Sequence, residues 1–394
     1  MNLFSAVEVG ALAGLRVIEM GTMMAGPVAT TLLSDFGAEV VKLEPRVGDP
    51  LRGMEPQIEG VSAYWLVTAR NKRSVVLDAR DESRRADFFS LTDRADVLVE
   101  NFRAGTLESW GVGPDVLLDR NPRLVIVRVT GFGQEGPNAS LLAYDRIVQL
   151  MSGLASVTGF PESPPTVAGF ALSDQIAALF AAFGALLGLA ARDSTGEGQV
   201  VDVASLDCLV RLSDVIVTEY DRLGIVRERE GNSHPSAAPM NMYQARDGAW
   251  VYTQAPTNAQ FKRLAKAIDR PNLPADPRFC DNSARFANRG TLDGIIQAWV
   301  SERDHAEVLR TWRTADLPAA PVRDAREVAE DPGLRLRGAV QHVDTPVGPT
   351  LMQGIAPKLS RTPGAVRGAA PALDEDSVAS VVARWSQRRD EVTL

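Results

Sequence analysis

The chain has 394 residues, 45% of them apolar and 23% charged, which excludes a disordered, collagen-like or disulfide-stapled protein and suffices for two domains of unequal size. Its formal net charge of -8 argues against nucleic acid or an anionic membrane surface as the main partner, although local arginines can still hold an anionic ligand. With two cysteines, Cys208 and Cys280, there is no disulfide framework or cysteine metal cluster, and a cytoplasmic location is expected.

The opening MNLFSAVEVGALAGLRV has no basic region followed by an apolar one, so no secretory signal is read there. From Arg16 to Thr130 short apolar runs alternate with Gly or Pro breaks and helical stretches. The expected strands are Arg16 to Met20, Glu39 to Leu43, Ser74 to Asp78, Asp96 to Val99 and Leu124 to Thr130. Helices are expected at Val28 to Phe36, Glu82 to Leu91 and Pro114 to Arg120. Strands such as VLV and LVIV have no polar side, as in a parallel sheet covered on both faces. The first strand is followed by GTMMAGP and not by GxGxxG, so this is not a standard dinucleotide-binding domain. With Pro27 opening the next helix, the amides of Gly21 to Pro27 point above the sheet edge, where they serve a tight turn or a ligand.

Lys72 and Arg73 precede a strand and bring positive charge to one end of the sheet, suited to phosphates. Farther on, LLAYDRIVQL sets Asp145 at a helix start beside the phenol of Tyr144. From Asp174 to Arg192 runs DQIAALFAAFGALLGLAAR, apolar on nearly every side, which predicts a central buried helix in the large domain. Its core, Ile176 to Ala191, is too short to cross a bilayer. Either Ser173 or Asp174 is its N-cap, and a carboxylate held against helix-start amides stays ionised, as a nucleophile toward a carbonyl requires. VVDVAS follows as another strand.

REREGNSHPSAAP is polar and broken, and marks a change of domain. Beyond it come a hairpin at YQARDGAWVYT and helices at Asn258 to Ile268, Thr291 to Val300 and His305 to Ala315. The expected division is a large α/β domain over 1–225, a smaller α+β domain over 226–332, and a segment 333–394 that returns to the large domain and ends in a helix near Ser377 to Gln387. His234, His305 and His342 are far apart in the chain and no HExxH occurs, so no metal site is expected. No GxSxG elbow occurs either.

These residues, above all LAGLRVIEMGTMMAGPVATTLLSDFGAEVVKLEPRVGDPLR, ARNKRSVVLD, ADVLVENFRAGTLESWGVG, NPRLVIVRVTGFGQEGP and RDSTGEGQVVDVAS, resemble the family III CoA-transferases, the CaiB/BaiF family, over nearly the whole chain. The resemblance implies a doubly wound Rossmann-like large domain built from both chain ends and an interlocked dimer, homomeric or heteromeric. It implies acyl-CoA and a small organic acid as substrates, with no tightly bound cofactor. Family-like CoA contacts fall on Met23, Met24, Arg46, Leu77, Arg80, Asn101, Phe102 and Arg103, and Pro45 stands where the family often has arginine. The family nucleophile falls on Asp174, with Tyr144 and Asp145 orienting the reacting carboxylates and the loop around Gly231 stabilising anionic centres. Acyl specificity would come from residues 156–168 and from Gly231 to Met242. Two alternatives stay open: an alpha-methylacyl-CoA racemase, in which His234 would have to act because Tyr144 stands at the family histidine, and a CoA-binding subunit of a heteromeric enzyme.

Overall fold

Residues 10–391 are described here from a computed structural model. They form two compact units, one of residues up to 154, 167–217 and from 331 on, the other of 155–166 and 218–330.

In the first unit, β1 (Arg16–Glu19) leads through α1 (Ala25–Asp35) to β2 (Glu39–Glu44), followed by β3 (Lys72–Val76), β4 (Val97–Glu100) and β5 (Val125–Thr130). Two helices then come before the last strand, α2 (Asp145–Met151) and α3 (Leu172–Thr195), and β6 (Val200–Ala204) completes the sheet. Every neighbouring pair is parallel and the order is β3-β2-β1-β4-β5-β6, a doubly wound Rossmann-like sheet. Side-chain alternation divides the strands between two cores. Val17, Val97, Val125 and Val127 face α1 and α3, whereas Ile18, Leu98 and Ile126 face the opposite side, where the C-terminal helix α4 (Val378–Glu391) contributes Val381 and Trp385.

The third strand begins two residues before its expected start because Lys72 is drawn into the sheet, where it pairs with Val40. Its ammonium group is buried against Glu19 at 2.7 Å and so does not face a phosphate; Arg73 is half-exposed and lies 3.6 Å from Asp376. A hairpin, β10 (Val340–Thr345) with β11 (Gly348–Gln353), was not foreseen.

The helix expected to be buried all round is buried on one side only. Ala177, Ala178, Ala181, Gly184, Ala185 and Gly188 of α3 face the core, while Leu179, Phe183, Leu186 and Leu187 are 41–57% exposed. It is long and apolar enough to cross a membrane, yet its small-residue face lies on the sheet. The approach is close. A Cβ on Gly184 would come within 2.7 Å of Val201 Cγ1, and one on Gly188 within 2.7 Å of Val125 Cγ1.

The second unit holds an antiparallel three-stranded sheet made from β7 (Met240–Gln244), β8 (Trp250–Gln254) and β9 (Ala319–Pro321), with β8 in the middle. Helices Asn258–Ala267, Arg289–Val300 and His305–Thr314 cover it, and Tyr243, Phe261, Trp299 and Trp312 fill the core. Segment 155–166 joins this unit through backbone, since Gly231 N–H donates to Gly159 O at 2.9 Å.

Alanine is a better helix former than glycine, but Gly184→Ala and Gly188→Ala should each destabilise the protein by about 1–3 kcal/mol, because the added methyl displaces a sheet valine. Urea unfolding of the two variants measures this directly.

Candidate active site

β1 and β4 are neighbours at the centre of the sheet, and the chain leaves them in opposite directions, β1 toward β2 and β4 toward β5. A crevice therefore opens beyond their carboxyl ends, the place where open α/β sheets bind ligands. Its two lips are the turn after β1 and the segment after β4. Asn101 clasps them together, accepting from Thr22 N–H at 2.8 Å and donating to Thr22 O at 2.9 Å. Glycine at 21 and 26 makes room for that amide: Cβ atoms there would come 3.0 and 3.3 Å from Asn101 Oδ1. α1 starts two residues before Pro27, at Ala25, with no side chain capping it.

The cavity above this clasp has a volume of about 350 Å³. Met23, Met24, Asn101, Phe102 and Arg103 line it, together with Tyr144 and Asp174. The turn and the segment after β4 thus share one cavity with the carboxylate of α3. Arg46, Leu77 and Arg80 are not in its wall. Leu77 is buried in the core against which Phe102 packs. Arg80 lies on the surface in a 2.5 Å ion pair with Asp78, its guanidinium 6.0 Å from the Trp110 ring, which in turn meets Phe102 edge-on at 4.9 Å. Arg46 is exposed, and its charge reaches Asp81 next to Arg80. Arg80 thus stands behind Phe102, with Trp110 between them.

Among the lining residues that the sequence reading did not single out are Thr22, Phe132 and Ser205. Ser205 is the last residue of the VVDVAS motif, at the carboxyl end of β6, and it is buried. Strand-end position was the signal available for it.

The start of α3 differs from expectation. Neither Ser173 nor Asp174 is the N-cap; that position is Ala171, which makes no side-chain cap bond. The acceptor comes from α2 instead. Asp145 Oδ1 receives Ser173 N–H at 2.6 Å, Ser173 Oγ–H at 2.8 Å and Asp174 N–H at 3.3 Å, and Gln149 Nε2 donates to Asp145 Oδ2 at 2.7 Å. With the helix-start amides occupied by Asp145, the Asp174 carboxylate is half-buried in the cavity wall. Burial, and next the negative charge of Asp145, push its pKa up from 3.8 to about 6. The expectation that helix-start amides would hold Asp174 strongly ionised is thus reversed, since those amides serve another acid. At neutral pH most of the Asp174 population is still ionised, and a carboxylate of pKa near 6 is more basic than an ordinary one. Tyr144, 74% exposed, sits at the cavity mouth as the N-cap of α2.

Gly231 (φ 63°) and His234 belong to the second unit, where His234 is exposed and its Nδ1 accepts from Ser236 N–H at 3.2 Å. Among the described residues no three His, Cys, Asp or Glu side chains converge in a group able to hold a metal ion.

Comparison with known proteins places this crevice in context. The profile of CoA-transferase family III matches residues 12–377. The chain belongs to that family. It is 40% identical over 364 residues to succinyl-CoA–D-citramalate CoA-transferase of Chloroflexus aurantiacus, covering 92% of this chain and 90% of that one. It is 40% identical over 370 residues to the beta subunit of succinyl-CoA–L-malate CoA-transferase of the same organism, covering 92% and 91%, and 36% identical over 373 residues to acetyl-CoA:oxalate CoA-transferase of Acetobacter aceti, covering 94% and 95%. Among solved structures, a CaiB/BaiF family protein from Brucella suis superposes with a TM-score of 0.85 at 31% identity, covering 96% of this chain and all of that one.

Removing the Asp145 charge removes one of the two causes of the raised Asp174 pKa. Asp145→Asn should therefore shift the Asp174 titration to lower pH and cost about 1 kcal/mol from a weaker cap. Carboxyl-labelled NMR of the Asp174 side chain reads the first effect and thermal unfolding the second.

Proposed function

We propose that this chain is an acyl-CoA:carboxylate CoA-transferase with Asp174 as its nucleophile. The observation that carries this reading is a half-buried carboxylate, its helix amides taken by another acid, in the same cavity as the Met23–Met24 turn and the Asn101–Arg103 segment.

Asp174 attacks the carbonyl carbon of the donor thioester, the C–S bond breaks, and CoA leaves as a thiolate while a mixed anhydride forms. The thiolate, still bound, attacks the aspartyl carbonyl, releasing the donor acid and making an aspartyl-CoA thioester. The carboxylate of the acceptor acid then attacks that carbonyl and expels the thiolate. A final thiolate attack on the acceptor carbonyl frees Asp174 and the new acyl-CoA. The chemical energy of the thioester is conserved at every step, so no nucleotide hydrolysis enters. In this reading Tyr144 donates a hydrogen bond to the reacting carboxylates from the mouth, and Asp145 acts by holding the start of α3. Arg103, whose guanidinium also donates to Ser140 O, is the cation of the cavity wall and suits a phosphate or a second carboxylate. The transferases similar to this chain act on short di- and hydroxydicarboxylic acids by their names, and a small polar acid is the substrate class proposed here. The racemase alternative needs a second proton-exchanging group across the α-carbon, and at the family histidine this chain has the phenol of Tyr144, a poor partner for that task.

The exposed apolar side of α3, continued by Ile147, Leu150 and Met151 of α2, supports assembly with a second chain, as the interlocked dimer requires. Phe183→Glu with Leu187→Glu should shift the sedimenting species to the monomer.

Asp174→Ala should abolish transfer while coenzyme A still binds, and intact-protein mass spectrometry of the unaltered enzyme with acyl-CoA alone should find an adduct on Asp174. Transfer by the alanine variant at the unaltered rate would overturn the proposal. Because the pKa of the free enzyme is raised to about 6, kcat/KM should fall as pH drops through that value. The same shift has a stability consequence. The folded state binds the Asp174 proton more tightly than the unfolded state, so stability is lost as pH rises from about 4 to 6 and the loss is complete above that. Asp174→Asn should accordingly stabilise the fold by up to about 3 kcal/mol at pH 8 and by little at pH 4, as measured by thermal unfolding at the two pH values.

A further inference from the structure

Two groups of buried charge lie beneath the crevice and take no part in the chemistry just described. β1 ends in Glu19 and β4 ends in Glu100, the two strands that flank the switch point, and both side chains are fully buried. Glu19 is gripped by Lys42 at 2.6 Å, by Lys72 at 2.7 Å and by the Thr30 hydroxyl. The two ammonium groups also reach the turn above them. Lys42 Nζ donates to Gly21 O at 2.7 Å, and Lys72 Nζ donates to Pro27 O at 2.6 Å, so the first and last carbonyls of Gly21–Pro27 are each tied to a buried cation. Asp49, 2.7 Å from Lys42, receives Met23 N–H at 3.4 Å. That residue stands at φ 62°, a left-handed conformation that a side chain adopts only when its surroundings impose it.

On the other strand the buried carboxylate holds the lip backbone itself. Glu100 accepts from Phe102 N–H at 2.6 Å with one oxygen and from Arg128 Nε at 2.7 Å with the other, and Arg128 continues to Glu108 at 2.6 Å. A buried ion pair contributes little net stability compared with apolar packing of the same volume. What these charges do that apolar side chains cannot is hold specific backbone groups of both crevice lips.

We infer that Glu19 and Glu100 are positioning residues: Glu19 through Lys42 and Lys72, and Glu100 directly while held by Arg128, set the Gly21–Pro27 turn and the Asn101–Arg103 segment in their ligand-ready geometry before the CoA moiety arrives. The inference rests on the acyl-CoA reading of the crevice. A preformed pair of lips spares the ligand the cost of ordering them, so the effect falls on affinity and not on the chemical step.

The test uses two changes that leave the remaining charges balanced. Glu19→Gln with Lys72→Met removes one charge of each sign, and Glu100→Leu leaves Arg128 with Glu108. Coenzyme A binding is measured by calorimetry, with circular dichroism and the sedimentation profile as controls, and kcat is taken at saturating donor. The expected result is a Kd raised by roughly tenfold or more in both variants, with kcat within about threefold of the unaltered enzyme. Folded variants that bind coenzyme A as tightly as the unaltered protein would overturn the inference. Should the variants not fold, hydrogen exchange on the unaltered, ligand-free protein decides: Thr22, Met23 and Phe102 amides protected like those of β1 support it, whereas exchange as fast as in the exposed 55–60 segment refutes it. Failure of the unaltered protein to bind coenzyme A at all would remove the acyl-CoA reading and this inference with it.

Discussion

The bond on which the site depends is the one between Asp145 and the start of α3. A helix beginning beside a cavity has amide groups that need an acceptor, and the nearest acids are its own first-turn residues. If Asp174 met that need, its carboxylate would be folded back on the helix end, strongly ionised and weakly nucleophilic. Asp145 meets it from a neighbouring helix by accepting three hydrogen bonds, and Asp174 is left in the cavity wall with a raised pKa. The two aspartates therefore divide between them the two roles that the sequence offered to one: termination of the helix and, on the reading proposed above, chemistry.

The sheet supplies the other half of the arrangement. Reversal of winding direction between β1 and β4 creates the crevice, and the Asn101 clasp narrows it into a defined pair of lips. α3 approaches the same point because its alanine and glycine face lies close against β5 and β6, as the 2.7 Å clearances at Gly184 and Gly188 record. The small residues that make the helix look like a generic buried core thus have a definite consequence: they bring its first turn down to the strand ends. Its larger apolar side chains, Leu179, Phe183, Leu186 and Leu187, are exposed on the other side.

Much of this was legible in the chain. Hydrophobic runs of strand length separated by glycine and proline placed all six strands to within two residues, since a parallel sheet buried on both faces leaves a continuous apolar signal. The ordered motifs led to the family, and seven of the eleven residues singled out for chemistry line one cavity. Lys72 was misread because a lysine in sequence carries no sign of a buried partner; Glu19 lies more than fifty positions earlier in the chain and meets it only across β2. Arg46, Leu77 and Arg80 do not line the cavity, which motif position alone does not reveal.

By itself the sequence determined the class of fold, the strands and the carboxylate at the head of the apolar helix, because periodicity, turn residues and cap residues act over a few neighbouring positions. The tertiary structure decided which acid caps that helix, which lysines are buried and which face of α3 is exposed. Those outcomes depend on pairs such as Asp145 with Ser173 and Lys42 with Glu19, whose members are brought together only when the sheet closes and water is expelled. Burial then sets the properties of each charged group, and burial has no local signature in the order of residues.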